Sequence, residues 1–422
     1  MPTLLIRAAT ILDPQSPFHL QTKDILVENG LISQIRHRIE ASADEVIDAD
    51  GHFISPGWFD MMSFFCDPGY EYKEDTLSGM RAAAAGGFTG VAVFADTFPV
   101  IDSKSEVEYL INKSRGSIVD VFPVGAVTKN SEGKELAEIY DMHAAGAVAF
   151  SDAPKPIMVA GLMMRGLLYV KKINGVIISH PHDDTIAPGG VMNEGVSSVY
   201  LGMNGIPALA EDLMVVRDIE LAEYTGSRVH FSSITTREAV DRIREAKKKG
   251  IPVTAGVNPV HLVLDDSSLA EFDSRYKIFP PLRTKEDIRA LKEGLADGTI
   301  DVICSAHQPQ NQELKEVEFE YAAAGMINLQ TCFALANEAL AGLLKPENLV
   351  EKMSVAPRKI LGLAVPFITE SAEANFTIFD TTAEWELTKE AILSKSGNTP
   401  FIGRTFQGKP LSIFNHNRLQ KL

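Results

Sequence analysis

The chain has 422 residues, room for one large domain and a smaller one, with an ordinary globular composition of 45% apolar and 23% charged residues. Its formal charge of −16 argues against a nucleic-acid partner, because gripping phosphates rests on clustered Lys and Arg. Cys66, Cys304 and Cys332 show no CxxC spacing, so neither a disulfide framework nor a Cys–zinc site is expected, and with no run of about eighteen apolar residues and no signal-like start the chain is expected to be cytoplasmic and free of membrane.

The first fifty residues predict short strands at Leu4–Ile6, Asp24–Glu28 and Leu31–Ile35, with Glu28-Asn29-Gly30 as a tight turn between the last two. Strand-like apolar runs then recur at Gly90–Phe94, Val119–Val124, Ala147–Phe150, Gly175–Ser179, Arg228–Phe231, Pro252–Ala255 and Asp301–Cys304. Helical stretches separate them. Thr236 to Ala246 puts Ala239, Val240, Ile243 and Ala246 on one face, and Lys285 to Leu295 behaves similarly. Lys247 to Lys249, just before Gly250, fit a solvated helix C-terminus. Strand character returns at Ala374–Asp380 and Pro410–Phe414.

Repeated β-α units over about 300 residues predict a (β/α)₈ barrel, spanning residues 54–364. The β-rich termini, 1–53 and 365–422, predict one small β-sandwich built from both ends. Periodicity alone leaves an open doubly wound sheet as the alternative. No Gly-x-Gly-x-x-Gly follows a strand and opens a helix, so no dinucleotide site is expected. Barrel active sites lie at the C-terminal strand ends, which directs attention to the residues just after each apolar run.

An ordered set of motifs covers nearly the whole chain: Pro56-Gly57-Trp58-Phe59-Asp60, Asp67-Pro68-Gly69, Glu71 to Asp75, Gly79 to Thr89, Met192-Asn193-Glu194-Gly195, Gly205-Ile206-Pro207, Lys277 to Arg283 and Asp297 to Asp301. With these, the chain resembles the dihydroorotases, cyclic amidohydrolases of pyrimidine synthesis. The resemblance implies a metal-dependent hydrolase barrel with a β-sandwich from both termini. It also implies zinc, which polarises a carbonyl and turns bound water into hydroxide, and an aspartate at the last strand end that moves the proton.

Carried over residue by residue, most of that chemistry is missing. The first two ligand histidines of the family correspond to Met62 and Phe64, and a later one to Ser233. The substrate-binding Arg corresponds to Cys66, the Asn of Met-Pro-Asn-Thr to Asp96, and the Asn before Pro-Pro-Leu-Arg to Phe279. The catalytic aspartate corresponds to Ala306. Asp152 keeps one of two carboxylates in Phe150-Ser151-Asp152-Ala153-Pro154, and His180 keeps one ligand histidine. Neither Met nor Phe offers the basic nitrogen zinc needs. Gapless flanking motifs fix the register of these positions, so no catalytic, metal-binding or substrate-binding residues are expected.

The leftovers have two readings each. His180 and His182, in His-Pro-His-Asp, are either a remnant metal site with Asp152, Asp183 or His307, or polar strand-end residues hydrogen-bonded to loops; the second is favoured. His230 and His261 are expected to be structural. Phe64, Phe65 and Phe279 predict a mouth filled by apolar packing. Asp67, Glu71, Lys73, Glu74 and Asp75 predict a solvated, salt-bridged face rather than an acid/base cluster. The expected function is that of a catalytically inactive dihydroorotase homologue, homodimeric, without cofactor, and by implication of the resemblance a structural partner of aspartate carbamoyltransferase. The alternative is an amidohydrolase acting on a cyclic amide through a single remnant zinc.

Overall fold

The computed structural model describes residues 3–422. Eight parallel strands form the barrel: β1 (Trp58–Ser63), β2 (Phe88–Val93), β3 (Asp120–Gly125), β4 (Ala149–Phe150), β5 (Ile177–Ser179), β6 (Val229–Phe231), β7 (Val253–Val257) and β8 (Val302–Ile303). They lie in sequence order, each hydrogen-bonded to the next. An open doubly wound sheet would reverse its strand order at a switch point, so the barrel reading stands. Closure runs just past the last strand, where Ser63 bridges His307 in parallel and the Phe64 amide donates to the His307 carbonyl at 2.9 Å.

Side-chain alternation explains the layering. Phe59, Ala92, Val124, Ala149, Ile178 and Val302 pack together inside the barrel. Their neighbours Trp58, Val91, Val121, Phe150, Ile177, Val229 and Ile303 face the helical shell. That shell begins with α1 (Thr76–Ala85), α2 (Lys104–Ser114), α3 (Ile139–Ala145) and α4 (Ala160–Lys172). It continues with α6 (Leu209–Thr225), α7 (Arg237–Lys248) and α8 (Lys285–Ala296), while α5 (Val196–Leu201) lies apart, its Leu201 packed on the cluster of Met192, Leu269 and Phe319. In α7 the Thr236 hydroxyl caps the Ala239 amide at 3.1 Å, and the buried face is Ala239, Val240, Ile243 and Ala246. Lys247 and Lys248 occupy its last turn.

Both termini build one eight-stranded sheet, in which the strand Phe376–Glu386 pairs antiparallel with Phe53–Pro56 and with Thr405–Asn415. Leu4, Ile6, Ile25, Val27, Phe376 and Phe414 pack on one side of it, and Leu5, Leu26 and Ile39 on the other. The tight turn at Asn29-Gly30 has φ of 55° and 78°, the left-handed values such a hairpin requires. Among the described residues no helix is long and apolar enough to cross a membrane.

Candidate functional site

At the mouth, the ends of β1, β2, β4 and β8 converge on an apolar cluster. Met62, Phe64, Cys66, Phe94, Ala153 and Cys304 are buried together, with Ala306 packed at the edge. The Phe64 and Phe94 rings lie 5.4 Å apart. Burial, reinforced by the charge of Asp96, pushes the Cys66 thiol up to about 12. Asp96 makes no side-chain hydrogen bond among the described residues, and burial raises its carboxyl above the usual range. A thiol and an acid in these two places cannot clamp a substrate carboxylate as a guanidinium fork does.

Phe65 does not help to fill the mouth. Alternation turns its ring outward onto α1, where it lies so close to Gly79 that a β-carbon there would come within 2.5 Å of it. Phe279 does face the site, half-buried against His180 and His182 at ring distances of 5.3 and 4.7 Å.

Asp152 is present but engaged. Its carboxylate accepts from the Val127 amide at 2.8 Å, the Thr128 amide at 3.0 Å and the Thr128 hydroxyl. It therefore pins the loop after β3, while the adjacent Ala153 joins the apolar cluster.

His180 departs from the expected loop contacts. Among the described residues both its ring nitrogens are buried without a partner, and burial next to His182 lowers its pKa to about 3. The strand end points the ring at Phe279, which offers no lone pair or donor. His182 lies 3.7 Å from the Asp184 carboxylate. The Ser232 and Ser233 hydroxyls and Nδ1 of His261 are also buried and unpartnered. His230 is satisfied at Nδ1 by the Thr254 hydroxyl at 2.9 Å, and His261 at Nε2 by the Pro280 carbonyl at 3.0 Å, in keeping with structural roles.

The acidic segment after β1 is not a solvated face. Asp67 and Glu74 are fully buried, with Glu71, Lys73 and Asp75 at intermediate exposure. Asp67 accepts from the Thr76 amide at 2.9 Å and from Lys113 at 2.8 Å. Burial alone would raise the Asp67 carboxyl, but Lys113 and Thr76 outweigh it and hold it below the usual range. Glu74 accepts from Ser78, Ser394 and the Lys395 amide, and lies 3.4 Å from Nε2 of His307. Nδ1 of His307 accepts from the Asn328 amide at 3.1 Å, so the proton sits on Nε2 and faces Glu74. His307 is thus committed to a latch between the loop after β1 and the segment 394–395, and cannot join His180. Nothing in the sequence pairs residues 74 and 307.

Asp60 is a residue that motif reading used only as a register mark. Fully buried, it accepts from the Ser305 amide at 2.6 Å and the Ser305 hydroxyl at 2.8 Å, tying β1 to the end of β8.

The zinc implied by the resemblance does not fit these residues. Three of the positions assigned to ligands carry thioether, phenyl and hydroxymethyl groups, Asp152 is spent on backbone amides, and His180 stands alone. Among the described residues no three His, Cys, Asp or Glu side chains converge to hold a metal.

Residues 51–239 match the family described as Dihydro-orotase-like, and residues 183–414 the Amidohydrolase family. The chain is 43% identical to a dihydroorotase of Pelotomaculum thermopropionicum over 96% of each chain. It is 41% identical to a dihydroorotase of Syntrophus aciditrophicus over 99% of this chain and 98% of that one. Among solved structures it is similar to an L-hydantoinase (dihydropyrimidinase) from Arthrobacter aurescens, with a TM-score of 0.86 at 22% identity, covering 100% of this chain and 98% of the other. A dihydropyrimidinase from Brevibacillus agri superposes with a TM-score of 0.84 at 22% identity, covering 99% and 94%. At such identities the structural likeness speaks to the fold alone.

Proposed function

The chain belongs to the dihydroorotase family, and from that premise we propose that it is a non-catalytic member serving pyrimidine biosynthesis as a structural partner of aspartate carbamoyltransferase. One observation carries the reading. Met62, Phe64, Cys66, Ala153 and Ala306 belong to a single apolar cluster at the mouth, where the family's chemistry calls for ligands, a substrate clamp and a proton carrier. Loss of a general base alone costs about 10²- to 10⁴-fold in rate. Without the metal, water keeps its ordinary reluctance to ionise and the carbonyl loses its Lewis acid.

Dihydroorotate is accordingly expected to be hydrolysed no faster than in buffer, with zinc supplied. Turnover at ordinary enzyme rates, about 1 s⁻¹ or more, would establish an active dihydroorotase and end this reading.

A second reading rests on His180, whose two free ring nitrogens leave one strand end able to accept a metal. The protein would then be an amidohydrolase acting on a cyclic amide through a single zinc. Three convergent protein ligands are the usual minimum for such a site, which makes this the weaker case.

For the partner role, the expected result is co-sedimentation with aspartate carbamoyltransferase at micromolar concentration. Separate sedimentation of the two proteins would remove it. Pairing with a second copy is part of the same proposal, since closed symmetric dimers are the commonest soluble assembly.

A further inference from the structure

Three segments leaving C-terminal strand ends meet beside the mouth: α5 with its flanks (191–206), the turn 266–276 after β7, and 311–322 after β8. They are joined by packing of Val191, Leu201 and Met203 with Met192, Leu269 and Phe319. The Ser197 hydroxyl donates to Asp266 at 3.0 Å, and Lys277 donates to the carbonyls of Phe319 and Glu320 at 2.8 and 2.9 Å. The surface is therefore continuous and held from below.

Its outward side is unusual. A surface helix normally buries its apolar stripe at i, i+3 and i+4. In α5 that stripe is Val196, Val199 and Tyr200, exposed at 89, 82 and 87%, while Ser198 is buried. These are the three most exposed large apolar side chains among the described residues. Tyr321, at 76%, and the partly exposed Phe272, Leu314 and Val317 extend the apolar set. An exposed apolar cluster of this kind marks an interaction site.

The rim is acidic. Glu194, Glu271, Glu313, Glu316, Glu318 and Glu320 are all exposed. The cations in these segments do not offset them. Lys315 is buried and donates to the carbonyls of Lys277, Ala323 and Gly325 at 3.2, 2.9 and 3.2 Å; Lys277 is buried as described; Arg275 is paired with Asp273 at 2.6 Å. A second copy docking through the same patch would set this carboxylate rim against itself, which like-charge repulsion opposes.

We propose that this surface is the docking face for a different protein, one presenting Lys and Arg around an apolar depression that receives Val196, Val199 and Tyr200. The inference rests on the scaffold reading, since it assigns that scaffold's contact face. A working enzyme must keep its mouth side open to substrate, and a chain without turnover is released from that demand.

The test uses the full-length protein and the same organism's aspartate carbamoyltransferase, with binding followed by sedimentation at about 0.05 and 0.3 M salt. One variant carries Val196→Ser, Val199→Ser and Tyr200→Ser; another carries Glu316→Lys, Glu318→Lys and Glu320→Lys. All six side chains are exposed, so the melting temperature and the chain's own assembly state are expected to hold. Each variant is expected to weaken binding at least tenfold, and binding is expected to weaken with salt as an electrostatic contact does. If both variants bind as the wild type does, the docking face is elsewhere and only this inference falls. If the wild type fails to bind, the scaffold reading falls and takes this occupant with it. If the variants instead abolish self-association, a second copy occupies the face and the inference is overturned.

Discussion

Replacing Glu211 by alanine is expected to lower the unfolding free energy by about 3–5 kcal/mol, the cost of breaking a buried ion pair from one side. Glu211 lies in the first turn of α6 and is 1% exposed. It accepts from the Thr235 amide at 2.7 Å, the Thr236 amide at 3.2 Å and the Thr235 hydroxyl, which fixes the chain just beyond β6. Arg283, 2% exposed, stands 3.8 Å away and also donates to Asn193 Oδ1 at 2.9 Å and to the Ile206 carbonyl at 2.7 Å. Burial raises the Glu211 carboxyl and lowers the Arg283 guanidinium, each against the pull of the other's charge. Alanine would remove the guanidinium's largest counter-charge and leave three donors without an acceptor. Urea unfolding of wild type, Glu211→Ala and Glu211→Gln checks this. The Gln variant keeps the volume and one acceptor oxygen, and is expected to cost less. A loss below about 1 kcal/mol for the alanine variant, the range of a surface contact, would mean the network is not what holds this corner.

The second large effect is a pH dependence. Burial lowers the pKa of His180 and His230 to about 3 and that of His261 to about 4, from an ordinary 6.5. In each case the unfolded chain takes up a proton below pH 6.5 that the folded protein refuses. Their stability contribution is thus complete above pH 6.5 and falls as the solution is acidified toward the folded values. Each group contributes a slope of up to about 1.4 kcal/mol per pH unit. Asp60, Asp152 and Asp218, whose carboxyls burial raises, act in the opposite sense, losing stability as the pH rises above their ordinary 3.8. Comparison with His180→Phe isolates one histidine from the rest. Relative to wild type, that variant is expected to gain about 2 kcal/mol between pH 6.5 and pH 5. A gain that does not change with pH would mean that His180 is hydrated or hydrogen-bonded in solution.

Much of the fold is written locally. Thr236, the apolar face of α7 and its terminal lysines form a self-contained helix signal, and Asn29-Gly30 a self-contained turn. The first barrel strand carries no such local signal, because Trp58 to Ser63 is buried on both sides and shows no polar alternation. Charge also misled where burial overrode it. Asp67 and Glu74 look like surface acids until Lys113, Ser394 and His307 arrive from distant segments. Phe64 and Phe65 are adjacent and both aromatic, and only the extended backbone decides that one enters the mouth and the other the helical shell. That Met62, Cys66, Ser233 and Ala306 carry no imidazole, guanidinium or carboxylate is legible in the sequence. What sequence could not supply was the gathering of Met62, Cys66 and Ala306 into one cluster with Phe64 and Ala153, or the isolation of His180. The stripe of Val196, Val199 and Tyr200 would ordinarily predict a core-facing helix turn, and only the folded chain reveals that it faces outward.

The non-catalytic reading turns on whether this site binds the metal on which the family's chemistry depends. The most direct test is metal analysis of protein purified without added metal, then dialysed against zinc, with dihydroorotate turnover measured on the same sample. Far less than one zinc per chain and no hydrolysis above the buffer rate are expected. One tightly held zinc per chain, lost on His180→Ala, would overturn the non-catalytic reading, and turnover accompanying that zinc would restore the chain to the working members of its family.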